Sequence, residues 1–173
     1  MKSTAKRAKP AKGGARGTSA RKAPPRLPPL RIKTILLAMD FSEYSKRALA
    51  YAVELCERVG ARLILLHVVE SFPIDRFISP DTLQADNAAR VSGAKNELEA
   101  LTEAFASYGC VKGPHIVCTG KPYQKILETA KDKGADIIVL GSHGYTGIRR
   151  VYIGSTAERV VRHAPCHVLV VRE

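Results

Sequence analysis

The sequence predicts an α/β domain with a doubly wound, five-stranded parallel open sheet and helices on both faces. Short apolar runs of strand length alternate with stretches that carry an apolar stripe at helical spacing. Glycines and prolines mark the junctions between them. Continuous apolar strands indicate a sheet covered on both faces, and right-handed crossovers then give the doubly wound arrangement.

Each element is predicted from its own run of residues. The predicted strands are residues 32–39, 62–69, 111–118, 135–140 and 166–171. The predicted helices are residues 42–59, 83–108, 122–133 and 155–163. Gly60, Gly109 and Gly134 end the first three helices, while Pro122 suits the first turn of the third. Residues 71–81 contain two prolines and predict a loop, and two breakers, Gly113 and Pro114, weaken the third strand.

Apolar stripes show which helix faces are expected to pack on the sheet. The stripe of the first helix comprises Leu49, Ala52, Val53 and Cys56. That of the second comprises Val91, Ala94, Leu98, Leu101 and Phe105. That of the last comprises Ala157, Val160, Val161 and Ala164.

Charge divides the chain into two parts. The 173 residues carry a formal net charge of +12, but residues 1–33 hold 11 basic residues and no acidic one. The rest of the chain holds 17 basic and 16 acidic residues. Residues 1–30 lack the apolar bulk needed to fold, which predicts a disordered basic tail before a domain at 31–173. The tail is interpreted as a solubilising segment, a weak polyanion-binding segment or a targeting segment.

Composition excludes several classes of protein. No apolar run approaches the ~18–20 residues of a membrane-spanning helix. Four cysteines without a C-x-x-C pair do not make a disulfide scaffold, so a reduced, cytoplasmic location is expected. Cys56 and Cys166 are expected to be buried thiols, whereas Cys110 and Cys118 flank the third predicted strand and stay open as redox sensors.

The segment between the fourth strand and the last helix is long and rich in glycine. It takes about 14 residues where such connections usually take ~2–6. Glycine amides followed by a helix N-terminus predict a phosphate-binding cradle. Ser155 also begins an S-x-x-E sequence with Glu158, which is typical of a capping box. No Walker A loop is present.

The spacing Gly141-x2-Gly144-x9-Gly154-Ser155 resembles the ATP-binding signature of the universal stress protein family. Residues 35–42, 66–69, 119–122 and 157–171 are similar to other segments of that family, so the resemblance spans about 32–172. It implies a five-stranded α/β fold and bound ATP, which Mg can accompany. It leaves the tail uncovered.

The resemblance implies a role for individual residues. Asp40 would contact the nucleoside, although it can also be an acid or cap at the start of the first helix. Val68 would frame the adenine or merely pack in the core, and Gly120 would line the base side. The residues implied for ribose and phosphates are Gly141, Gly144, Gly154 and Ser155. Thr156 follows them at the start of the helix, a position from which it would donate to phosphate. Arg149 and Arg150 would neutralise the triphosphate or remain solvated.

The function predicted is therefore an ATP-binding regulatory protein of the stress response. A homodimer is expected through the edge strand at 166–171. No catalytic or metal-ligating residue is predicted, and His143 is expected to pack within its loop. The alternative is a slow ATP-hydrolysing or adenylate-transferring enzyme. Nucleic-acid binding is assigned only to the tail, because the domain is nearly neutral and contains no Trp.

Overall fold

The structure is a computed structural model that describes residues 31–70, 80–109, 115–143 and 153–172. Its strands are β1 (Thr34–Met39), β2 (Arg62–Glu70), β3 (His115–Gly120), β4 (Ile137–Gly141) and β5 (His167–Val171). Its helices are α1 (Glu43–Val59), α2 (Pro80–Ala104), α3 (Pro122–Lys133) and α4 (Ser155–His163). The predicted tail, residues 1–30, lies outside the described residues.

The described strands form one parallel sheet in the order β3-β2-β1-β4-β5. The chain winds outward from β1 to β2 and β3 on one side, and then to β4 and β5 on the other. The reversal of direction lies between β1 and β4, where ligands of such sheets usually bind. The structure confirms the predicted doubly wound sheet.

Helices cover both faces of the sheet, and neighbouring side chains of β1 point to opposite faces and pack in two separate cores. Ile35 and Leu37 pack in a core with buried residues of α1 and α2, and both are fully buried. Leu36 is also fully buried, but it packs with residues of α3 and α4 such as Ile126 and Val160. Burying a side chain of this size contributes roughly 1.5–3 kcal/mol.

Local sequence signals set several helix ends. Ser42 caps α1, and its Oγ accepts a hydrogen bond from the backbone N–H of Ser45 at 3.2 Å. Gly60 ends α1 with a φ of 69°, in the left-handed region that favours glycine. Pro122 occupies the first turn of α3 and Gly134 ends it in a left-handed conformation, which confirms the predicted bounds of that helix.

The second helix and third strand differ from their predicted bounds. Helix α2 starts at Pro80 rather than residue 83, because proline is tolerated in a first helical turn. It ends at Ala104 rather than 108, where the chain continues in turns, one of them closed by a bond from the Tyr108 N–H to the Phe105 carbonyl. Strand β3 pairs with β2 as far as Gly120, two residues beyond the predicted end.

Two side chains predicted to be buried are not. Val161 in α4 is 51% exposed, so the stripe of this helix consists of Ala157 and Val160 with Ala164 half-buried. Cys166 is half-buried because it precedes the edge strand β5. Cys56 is fully buried, as expected. Cys118 lies inside β3 rather than beside it, and Cys110 is outside the described residues.

Among the residues that the structure describes, no helix is both long and apolar enough to cross a membrane.

Candidate functional site

A cleft of about 350 Å³ opens where β1, β2 and β4 end and α4 begins. The reversal of the strand order places these ends side by side, with β1 in the middle. The volume is within the ~300–1,000 Å³ of small-molecule sites. Its walls combine apolar side chains and polar groups from seven of the described elements and from residues next to them.

Six of the predicted site residues line this cleft. They are Asp40, Val68, Gly141, Gly154, Ser155 and Thr156. Gly120 is not among the lining residues: it ends β3 with a φ of 146°, and Pro122 reaches the cleft instead. Gly144, Arg149 and Arg150 lie outside the described residues. Residues from distant parts of the sequence are thus brought to one site.

Asp40 lies in the turn after β1, where it bonds to the cap of the first helix and lines the cleft. Its Oδ1 accepts hydrogen bonds from the backbone N–H of Ser42 at 3.1 Å and from the Ser42 hydroxyl at 2.6 Å. Ser42 is the residue that caps α1, and Asp40 supports it. Asp40 also lines the cleft, so this turn holds a carboxylate at the carboxyl end of β1.

The start of α4 differs from the capping box expected at Ser155. Gly154 is the N-cap, with an extended backbone and no side-chain cap bond, and Ser155 is already helical. The carboxylate of Glu158 accepts from Arg162 at 2.7 Å. The S-x-x-E prediction is wrong because the chain turns into the helix one residue earlier. The Ser155 side chain therefore lies at the first turn, where unpaired N–H groups favour an anion.

Backbone hydrogen bonds join this helix start to the sheet. The Gly154 N–H donates to the Ser142 carbonyl at 2.8 Å. The Ser142 N–H in turn donates to the Val171 carbonyl of β5 at 2.8 Å. Both ends of the glycine-rich segment are therefore fixed on β4 and β5, on the side of the cleft opposite β2.

Gly141 lines the cleft, and packing against α1 requires a residue without a Cβ at this position. A Cβ on Gly141 would lie 2.9 Å from the carbonyl carbon and from the Cβ of Tyr44, and 3.1 Å from the backbone N of Ser45. These atoms belong to the first turn of α1. Only glycine lets the helix come this close to the end of β4.

Two histidines of the cleft were not predicted as site residues. The Nδ1–H of His67 donates to the Met39 carbonyl at 2.9 Å, and its ring stacks on Phe41. Burial lowers the pKa of His67, although this bond and nearby carboxylates act in the opposite direction. His143, expected to pack in its loop, lies with Nδ1 3.0 Å from the Ser142 Oγ and its ring against Tyr44. His67 could have been found from its position beside Val68.

Arg90 is a further lining residue that the sequence did not indicate. It lies on α2, and its guanidinium donates to the Glu70 carbonyl at 3.2 Å. Glu70 ends β2, so Arg90 places a positive charge beside Val68. The packing of α2 over the sheet determines where Arg90 lies, and no local sequence motif predicts it.

Metal and thiol chemistry find little support in the parts of the chain described. No group of three or more His, Cys, Asp or Glu side chains there could hold a metal ion. Burial raises the pKa of the Cys118 thiol, and also that of Cys166, which disfavours the reactive thiolate. The cleft instead combines apolar walls and charged side chains on the β1 and β2 side with the N-terminus of α4, which favours an anion.

Comparison with known proteins identifies the family of the chain. A sequence profile of the universal stress protein family matches residues 31–172. The chain belongs to the universal stress protein family. The match confirms the resemblance to the family over residues 31–172, and residues 1–30 lie outside it.

Relatives of this universal stress protein match over most of their length. A universal stress protein of Thermus aquaticus is 34% identical over 140 residues, covering 81% of this chain and 98% of its own. The solved universal stress protein UspA from Lactobacillus plantarum has a TM-score of 0.77 at 30% identity, covering 83% and 100%. Protein MJ0577 of Methanocaldococcus jannaschii has a TM-score of 0.74 at 31% identity, covering 83% and 98%.

Proposed function

We propose that this universal stress protein binds ATP in the cleft and acts as a regulatory protein of the stress response. The observation that carries the proposal is that Asp40, Val68 and the Gly154–Thr156 segment line one cleft of suitable size. The sequence signature connects Gly154 and Ser155 with ATP, and the wider family resemblance connects Asp40 and Val68 with the nucleoside. Two solved proteins of the same fold, at 23% and 21% identity, are described with cAMP and with AMP bound, so this fold accepts adenine nucleotides.

The order of the strands suggests how ATP would lie. Val68 and Asp40 stand on the β2 and β1 side, where apolar walls from residues such as Leu66 suit a base. The α4 N-terminus stands at the opposite side and suits the phosphates. Arg149 and Arg150 remain proposed partners of the triphosphate, with Gly144 as part of the same cradle and Gly120 as a more distant residue on the base side.

Isothermal titration of ATP into the full-length protein tests this proposal. Ser155→Ala should weaken ATP about tenfold or more, because a hydrogen bond to a charged group is lost. Ser92→Ala is the matched control, since Ser92 is exposed on α2 and does not line the cleft. Equal ATP affinity in wild type and Ser155→Ala would show that the α4 end is not the phosphate site.

Further titrations and a turnover assay distinguish a nucleotide-binding regulatory protein from an enzyme. ATP should bind more tightly than ADP or AMP, because each phosphate adds negative charge at the α4 end. Repeating them with Mg tests whether the metal accompanies ATP. The alternative is measured by its products, which are ADP and phosphate for slow hydrolysis and pyrophosphate for adenylate transfer to an acceptor. Turnover well above the rate of a Ser155→Ala control would favour the enzyme.

A homodimer through β5 completes the proposal. Strand β5 is an edge of the described sheet, and its apolar residues Val168, Leu169 and Val170 are only half-buried. Unpaired edge strands of this kind pair readily with a second copy. Sedimentation of wild type and Val168→Lys would test the interface, since a lysine on the edge opposes pairing. A wild-type monomer would refute it.

The tail and the location remain separate proposals. The 11 basic residues at 1–33 would give weak, salt-dependent contact with polyanions. Comparing DNA binding by the full chain and by residues 31–173 tests this, and equal binding would remove the role of the tail. Four cysteines without a C-x-x-C pair are too sparse for a disulfide scaffold, which supports a reduced, cytoplasmic compartment.

A further inference from the structure

Phe41 has an unusual backbone conformation next to the cleft. Its φ is 63°, and in the described parts of the chain it is the residue other than glycine with a positive φ. A side chain with a Cβ disfavours this left-handed region, most of all when the residue is bulky. Neighbouring contacts must therefore hold Phe41 in place.

The ring of His67 supplies that contact. The Phe41 and His67 rings stack with centroids 4.5 Å apart and an angle of 28° between their planes. His67 is itself fixed, because its Nδ1–H donates to the Met39 carbonyl at 2.9 Å and its backbone lies opposite Met39 in the sheet. A carbonyl only accepts, so the proton is on Nδ1. His67 of β2 thus holds Phe41, the residue that follows Asp40 after the end of β1.

The left-handed turn at Phe41 determines where Asp40 lies. Phe41 separates Asp40 from Ser42, and its conformation folds the chain back so that Asp40 Oδ1 accepts both hydrogen bonds of Ser42. With an extended residue 41 the carboxylate would point away from Ser42. The stack of two aromatic rings is therefore linked, through one backbone turn, to a carboxylate of the cleft.

We propose that His67 is a positioning residue that clamps Phe41 in its left-handed conformation and thereby holds the Asp40 carboxylate at the nucleoside end of the cleft. The inference rests on the proposed nucleotide binding. It gives a role in that binding to Phe41 and His67, which are not part of the ATP signature. His67 lines the cleft but Phe41 does not, so an effect of Phe41 on the ligand must pass through the position of Asp40.

Substitutions at Phe41 distinguish this clamp from ordinary packing. Phe41→Ala removes the ring but keeps the Cβ, which still disfavours the left-handed conformation. ATP should therefore bind about 5- to 30-fold more weakly, the ratio by which a Cβ disfavours left-handed backbone. In Phe41→Gly the turn forms without a clamp, so affinity should fall only about twofold. Packing alone predicts the reverse order, because glycine removes one more carbon. Phe41→Gly binding no better than Phe41→Ala would overturn the proposal.

His67→Ala provides the second arm of the experiment. Alone it should weaken ATP binding to the extent that Phe41→Ala does. In the Phe41→Gly background it should cause no further loss, because the clamp has nothing left to hold. Equal losses in both backgrounds would overturn the coupling. The Phe41 pair decides the question if His67→Ala does not fold by circular dichroism.

Hydrogen exchange of the Ser42 amide tests the clamp without nucleotide. This N–H donates to Asp40 Oδ1, so its exchange should speed up in Phe41→Ala and His67→Ala but stay slow in Phe41→Gly. If wild type binds no ATP, the proposed function fails and the exchange rates alone decide on the clamp. If wild type binds ATP but the variants exchange and bind as it does, the clamp is refuted and the proposed function stands.

Discussion

Replacing Gly141 with alanine should destabilise the fold through a clash with the first turn of α1. The new Cβ would lie 2.9 Å from two atoms of Tyr44, one of them in the backbone. Carbon atoms pack at about 3.5–4.0 Å, so helix or strand must move by roughly 0.5–1 Å. Backbone atoms in a buried helix turn cannot swing aside as the end of a flexible side chain can.

The size of the effect follows from two opposing contributions. Adding one carbon to a closely packed site typically costs about 1–3 kcal/mol. Alanine also restricts the unfolded chain, which returns about 0.4–1 kcal/mol. The net loss in the free energy of unfolding should be about 1–2 kcal/mol, and the melting temperature should fall by about 2–8 °C.

Urea denaturation of the variant and of a matched glycine variant measures this loss. Gly93 lies exposed in α2, and a Cβ there would meet no atom within 4 Å. Gly93→Ala should therefore stabilise the protein by about 0.5–1 kcal/mol, because alanine favours a helix interior. The same chemical change should thus have opposite signs at the two sites. A Gly141→Ala protein as stable as wild type would refute the packing argument.

Three further substitutions test other contacts. Ser42→Ala should lower the free energy of unfolding in urea by about 1 kcal/mol, because Ser42 caps α1. Ser155→Ala should change it by less than about 0.5 kcal/mol, since the residue before it is the cap; equal losses would contradict this helix start. Backbone N–H groups of Lys33 and Thr34 donate to the Asp136 carboxylate and lower its pKa. The carboxylate therefore stabilises the fold fully above its unfolded pKa of about 3.9. This stabilisation is lost as the pH falls through the lower pKa of the folded state. Asp136→Asn should remove this part of the acid-induced fall in melting temperature, and identical profiles would contradict the assignment.

Sequence reasoning succeeded where one short segment determines the structure. Helix α3 begins at Pro122 and stops before Gly134 as predicted, because proline suits a first turn and glycine suits a left-handed end. The last strand, β5, lies at an edge of the described sheet as predicted, in agreement with a doubly wound order in which the chain winds outward from its first strand. These rules need no knowledge of distant residues.

The prediction failed where tertiary contacts compete with a local signal. Strand β3 extends to Gly120 because Glu70 of β2 offers it a partner there, which the local sequence cannot show. Ser155 matches a capping box, yet the Gly154 N–H is drawn to the Ser142 carbonyl and the helix begins with a different cap. Arg90 reaches the cleft only because α2 packs over the end of β2.

The site itself was predicted in part because one motif supplies only one of its sides. The glycine signature indicated the α4 end, and six of the predicted site residues do line the cleft. The neighbouring contacts of Phe41 and His67 combine residues from two strand ends, separated in sequence but adjacent in the sheet. Neither a glycine count nor a spacing rule detects such a pair.

Gly141 shows why a signature glycine should not be assigned to a ligand on its own. Its position at the cleft suits contact with a ribose or phosphate, while its missing Cβ is needed by Tyr44. The first turn of α1 is therefore fixed from two sides, by Gly141 of β4 and by the Asp40–Ser42 hydrogen bonds after β1. A substitution at Gly141 changes both stability and the position of the turn that carries Asp40. Loss of ATP binding in Gly141→Ala would consequently not identify a ligand contact, whereas loss in Ser155→Ala with unchanged stability would.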